Sequence, residues 1–78
     1  MSGITVYGAD WCSDCRRSKA LLDAEGVDYR WIDVEAEEGA AQEALAISGR
    51  TSIPVVVLPD GSFLVEPSDA ELRERLAV

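Results

Sequence analysis

The sequence predicts an α/β fold of element order β-α-β-α-β-β-α, a four-stranded mixed sheet with helices on both faces. Three observations predict it. A β-branched and aromatic run opens the chain, and a helical stretch separates it from a second run of period two, which makes that strand pair a parallel βαβ unit. A Pro-Asp-Gly turn joins two later apolar runs as an antiparallel hairpin. The 78 residues leave room for one core, so residues 1–78 are expected to form a single domain.

Ile4-Thr5-Val6-Tyr7 reads as the first strand, stopped by Gly8. Ala9 through Cys15 is a turn that feeds a helix carrying Arg16 to Glu25, with Cys15, Ser18 and Leu22 on one face and Gly26 as the stop. Asp28 to Val34 alternates as a second strand, in which Tyr29 and Trp31 are packing residues. Glu35 to Ser48 reads as an Ala-rich helix, with Glu35, Glu37 and Glu38 complementing its N-terminal dipole and Gly49 closing it. Ile53 to Leu58 and Phe63 to Val65 flank the turn Pro59-Asp60-Gly61-Ser62. Ser68-Asp69-Ala70-Glu71 is a capping-box pattern, opening a last helix with Leu72 and Leu76 inward and a Glu71–Arg75 pair.

Composition excludes several function classes. Fifteen acidic against seven basic side chains leave a net charge of −8, a field that repels phosphate backbones and anionic lipid. Neither nucleic acid nor membrane is an expected partner, and the longest apolar run, Ile53 to Leu58, falls far short of the roughly 20 residues a spanning helix needs. The first residues carry no basic leader and no cleavage site, so a cytoplasmic protein is expected. Histidine is absent, which removes the commonest general base and the usual zinc ligand sets.

The two cysteines stand in Cys12-Ser13-Asp14-Cys15, after a strand and at a helix start. In that context a C-x-x-C pair reads as redox chemistry. At a helix N-terminus the free backbone N–H groups and the positive dipole end favour thiolate over thiol, so Cys12 would attack and the inward Cys15 would resolve. Three other readings stand beside it: two small buried hydrophobes, half of a zinc site without further ligands, and a cluster bridged between two chains. Asp14 opposes a Cys12 thiolate by about 1 kcal/mol at roughly 7 Å and an effective dielectric of about 40. It also suits the first turn of a helix.

Trp11, Cys12, Cys15, Arg17 and Lys19 match W-C-x-x-C-x-R-x-K, and Ser52-Ile53-Pro54 corresponds to T-V-P. On these residues the chain resembles the glutaredoxin family of the thioredoxin fold over essentially its whole length. The segment Asp60-Gly61-Ser62 through Glu66-Pro67-Ser68 looks most like the actinobacterial mycoredoxins. The resemblance implies a thiol–disulfide oxidoreductase with Cys12 as nucleophile, Cys15 as resolving thiol and Pro54 as a cis-proline facing the disulfide. Ser52, Ile53 and Pro54 would then bind substrate, the Ile53 N–H and C=O offering an extended segment a strand edge. Pro54 could equally start an edge strand. Trp11 either flanks a mixed disulfide or packs in the core, and Arg17 and Lys19 are either site residues or solvated surface.

Departures from the family pattern shape the co-substrate. Ala9 stands where glutathione users often carry a basic residue, Ser13-Asp14 replaces Pro-Tyr, and Glu66-Pro67-Ser68 replaces Gly-Gly-x-Asp. Glutathione presents two carboxylates, which Asp14 and Glu66 would repel, whereas mycothiol offers none. The expectation is therefore no tightly bound cofactor and no metal, a small thiol co-substrate, mycothiol before glutathione, and protein disulfides or mixed disulfides as substrates of a monomer. The rival is a redoxin reduced by a flavoprotein thioredoxin reductase and feeding ribonucleotide reductase. Its C-terminal aromatic-and-arginine signature is absent around Glu66-Pro67-Ser68. A non-enzymatic cluster-holding or regulatory module is the remaining alternative.

Overall fold

The structure, a computed structural model, describes residues 3–76. The elements are β1 (Thr5–Gly8), α1 (Ser13–Ala24), β2 (Arg30–Asp33), α2 (Ala40–Ser48), β3 (Val55–Val57), β4 (Phe63–Val65) and α3 (Asp69–Leu76). They follow the expected order. The four strands lie β2-β1-β3-β4, with β1 parallel to β2, antiparallel to β3, and β3 antiparallel to β4.

Register decides which residues meet. Val6 lies opposite Val56, and both turn to the face covered by Leu21 and Leu22 of α1 and Leu72 of α3. Tyr7 lies opposite Ile32 and Val55, and these turn to the other face, under Ala40 and Ala44 of α2. A one-residue slip would exchange the two sets, so burial on both faces fixes the pairing. Cys15, Ser18 and Leu22 share the buried face of α1, as their spacing predicts.

The helix starts differ from the expectation. α1 begins at Ser13, three residues early, because Cys12 itself adopts the extended N-cap conformation and its side chain accepts the Cys15 N–H. α2 begins at Ala40, five residues late. Asp33 Oδ1 accepts the N–H groups of Glu35 (2.8 Å) and Ala36 (3.2 Å), a local turn that competes with helix formation. Glu35, Glu37 and Glu38 therefore lie in turns, and Gly39, at φ 83°, admits the chain to the helix. β2 is shorter than Asp28 to Val34, although Val34 N–H still reaches the Gly8 carbonyl at 2.9 Å.

The capping box forms as read. Glu71 N–H donates to Ser68 Oγ (3.1 Å) and Ser68 N–H to Glu71 Oε1 (2.9 Å). That use of Glu71 replaces the expected pair with Arg75, whose guanidinium donates instead to Ser62 Oγ in the hairpin turn. Trp31 and Tyr29 pack against the core, Lys19 stands 4.5 Å from the Trp31 ring centroid, and the Tyr29 hydroxyl donates to Asp23. Among the described residues no helix is long and apolar enough to cross a membrane.

Candidate active site

The first strand delivers the chain to the site and a tight turn reverses it. Cys12 N–H donates to the Ala9 carbonyl (3.2 Å), and Arg16 N–H donates to the Cys12 carbonyl (3.0 Å) as the first bond of α1. Cys12 Sγ stands 3.3 Å from the Cys15 backbone nitrogen and accepts its N–H. The sulfur thus occupies the place that a serine or aspartate oxygen takes in an ordinary helix cap. That N–H and the N-terminal end of α1 face the sulfur.

Cys15 has no solvent exposure. Its thiol is pushed up to about 12, first by burial and then by its hydrogen bond with Cys12. The two sulfurs are therefore unequal: one half-exposed at a helix end, one buried and held as the neutral thiol. Gly8 makes the buried seat possible. A Cβ at Gly8 would lie 2.9 Å from Cys15 Sγ and 2.8 Å from Trp31 Cη2, closer than carbon atoms tolerate.

Across from Cys12 the chain returns through Ser52 and a cis Ile53–Pro54 peptide bond. The Cys12 thiol faces the Ile53 carbonyl oxygen at 3.9 Å. Pro54 is buried, and its carbonyl accepts the Glu66 N–H at 2.9 Å, which extends the β3–β4 pairing by one rung. Glu66 itself is exposed, at φ 49°.

The remaining expected residues divide. Trp11 is no core residue: it is 65% exposed, and its indole N–H donates to Glu35 Oε1 at 2.7 Å. Asp14 is engaged by the Arg17 guanidinium at 3.1 Å, which counters the opposition to a thiolate that the sequence assigns to Asp14. Arg17 also donates to the Pro67 carbonyl (3.2 Å) and lies 3.6 Å from Asp69. It is thus a tie between α1 and the segment entering α3 rather than loose surface charge. Sequence reasoning missed Glu35, which it placed in a helix, and saw in Gly8 only a strand stop.

Trp11 and Ile53 also line a groove of about 390 Å³ beside Cys12, with Val34, Glu35, Leu45 and Arg50 among its other walls. Most of that lining is apolar. Among the described residues, no three His, Cys, Asp or Glu side chains are grouped to hold a metal ion.

A family model described as Glutaredoxin matches residues 4–64. The chain belongs to the glutaredoxin family. It is 34% identical to Mycoredoxin 1 of Corynebacterium glutamicum over 77 residues, covering 97% of this chain and 95% of that protein. Glutaredoxin 3 of Escherichia coli is 29% identical over 58 residues, or 74% of this chain and 70% of the relative. The crystal structure of a glutaredoxin from Archaeoglobus fulgidus superposes with a TM-score of 0.87 at 30% identity, covering all of this chain and 89% of the other. As a glutaredoxin, the protein is a thiol–disulfide oxidoreductase of thioredoxin-like fold, acting on disulfide substrates with glutathione or a similar small thiol.

The inequality of the two sulfurs in this glutaredoxin has a direct readout. Iodoacetamide at pH 8 is expected to alkylate Cys12 and leave Cys15 unmodified, because Cys12 is partly exposed whereas Cys15 is buried and held as the thiol. Peptide mass mapping checks it, and labelling of Cys15 at a comparable rate would contradict the burial. Because burial raises the Cys15 thiol from 9.0 to about 12, stability should fall as pH rises from about 9 through about 12, where the unfolded chain loses this proton and the folded one keeps it.

Proposed function

We propose that the protein reduces protein disulfides and mixed disulfides through Cys12, with Cys15 as resolving thiol and mycothiol as the preferred small thiol. The observation that carries the proposal is the Cys12 sulfur as N-cap of α1, 3.3 Å from the Cys15 nitrogen, with Cys15 buried behind it. Cys12 thiolate attacks the sulfur of a small thiol joined to a protein cysteine. The Cys12–sulfur bond forms, the old disulfide breaks, and the protein leaves as a thiolate that takes a proton from water. A second small thiolate then attacks the capping sulfur, forming the small-thiol disulfide, breaking the bond to Cys12 and releasing Cys12 as the thiolate. On a protein disulfide, Cys15 instead displaces the product and leaves a Cys12–Cys15 disulfide that small thiols reduce.

Burial holds Cys15 protonated, so Cys12 attacks first and Cys15 acts once Cys12 is capped. In this reading the Ile53 backbone, beside Cys12 at 3.9 Å, lies along the substrate, with Ser52 and Pro54 shaping that wall. Charge favours mycothiol. Ala9, 1% exposed, supplies no cation, while Glu66, an exposed acidic residue, pairs its backbone with Pro54. The reduced small-thiol pool that this cycle consumes fits a cytoplasmic setting.

The test is mass spectrometry of a Cys15→Ser variant exposed to equal amounts of oxidised mycothiol and oxidised glutathione. Without the resolving thiol, Cys12 keeps whatever it accepts. A predominant mycothiol adduct is expected. A predominant glutathione adduct would overturn the preference, and no adduct would overturn Cys12 as the attacking thiol of a small-thiol cycle.

A further inference from the structure

Trp11 presents a puzzle of placement. Among the described residues it is the most exposed of the large apolar side chains, at 65%, yet it stands next to Cys12 and forms one wall of the groove. An indole so exposed has little packing to hold its rotamer. What holds it is one charge-assisted bond, from Nε1–H to Glu35 Oε1 at 2.7 Å. Glu35 is held in turn, since its own N–H is fixed by Asp33 Oδ1 at 2.8 Å at the end of β2. The sheet thus reaches the tryptophan through a two-step polar chain.

We propose that Glu35 is a positioning residue that sets substrate preference: it pins the Trp11 indole as a wall of the groove, which then takes an apolar side chain beside the target cysteine of a protein mixed disulfide. The occupant follows from the lining and from continuity with Cys12. Val34, Ala41, Ala44, Leu45, Ile53 and Trp11 supply the apolar surface, and the carboxylate of Glu35 is already spent on the indole. Ile53 belongs both to the groove and to the immediate surroundings of Cys12 Sγ, so a residue next to the reacting cysteine is the one in reach. An acidic neighbour would lose the apolar contact and meet the Glu35 carboxylate; Arg50, also in the lining, is the cation it could pair with, and the Asp peptide below tests which prevails.

The proposal rests on Cys12 as the attacking thiol, and its test separates the two. Peptide mixed disulfides with one small-thiol cap, bearing either Leu or Asp beside the cysteine, are compared with a small-molecule mixed disulfide carrying the same cap. Glu35→Ala is expected to raise KM for the Leu peptide by about fivefold, the value of one hydrogen bond of roughly 1 kcal/mol. Its kcat should stay within about twofold, and turnover of the small substrate should not change. Glu35→Gln, whose amide oxygen still accepts the indole N–H, should restore the KM. The indole N–H resonance of Trp11, assigned with Trp11→Phe, should shift in Glu35→Ala and not in Glu35→Gln. An unshifted resonance, an equal KM rise for peptide and small substrate, or equal turnover of Leu and Asp peptides by the unaltered protein would each overturn the proposal. No turnover of any substrate by the unaltered protein would overturn the reading of Cys12 as well.

Discussion

Cys12→Ser is expected to abolish reduction of mixed disulfides while leaving the fold intact. The second half of that statement follows from the sulfur's structural duty. Cys12 Sγ accepts the Cys15 N–H as the N-cap of α1, and serine is among the best residues for that place. A hydroxyl does not ionise near neutral pH and does not exchange with disulfides, so activity should fall by at least about three orders of magnitude. Turnover of a mixed disulfide together with a thermal melt checks both halves. Residual activity within about tenfold of the unaltered protein would mean that another group carries the reaction.

Gly8→Ala is expected to be the most damaging of the small substitutions near the site. The added methyl would meet Cys15 Sγ at 2.9 Å, Cys15 Cβ at 3.2 Å and Trp31 Cη2 at 2.8 Å. Trp31 Cη2 is a ring tip that could turn aside, but Cys15 is fixed on α1 with no exposed surface, so the sulfur contact cannot be relieved that way. Overpacking of this kind costs about 1–3 kcal/mol, and relief requires α1 or β2 to move outward. Because the methyl presses on Cys15, the proposed resolving thiol, the dithiol route should suffer more than the monothiol route. Denaturant unfolding gives the stability change, and comparing a protein disulfide with a mixed disulfide gives the route. A variant as stable as the parent, with both routes intact, would show that the seat is slack.

Much of the molecule was legible where the chemistry is local. The capping box at Ser68 and Glu71 is written in two residues three apart and forms in the structure. The Asp60-Gly61 turn needs only a residue with positive φ, which Gly61 supplies at 88°. The C-x-x-C pair at a helix start puts its two sulfurs in unequal surroundings, as its position after a strand implies. The failures share one cause: a side chain had a choice of partner. Asp33 could have pointed from the strand to solvent, yet it captures two backbone N–H groups and delays α2 to Ala40. Glu35 looked like helix-dipole chemistry and instead reaches an indole 24 positions away. Arg17 stood open between site residue and solvated charge, and its carbonyl partner is Pro67, 50 positions away. No period or propensity encodes such choices, because they are settled only when the sheet brings the segments together.

The Arg17 tie has a consequence for how the enzyme meets a partner. α1 is fastened along its length: Leu21 and Leu22 are set into one sheet face, Cys15 rests against Gly8, and Arg17 bolts the first turns to Pro67 and Asp69. The Cys12 sulfur, proposed above as the attacking one, therefore sits at the end of a helix held at several points rather than on a free loop. More of the accommodation is then expected from the partner. Cysteines in frayed termini and surface loops should be repaired readily, while an equally exposed cysteine on a rigid strand should be passed over.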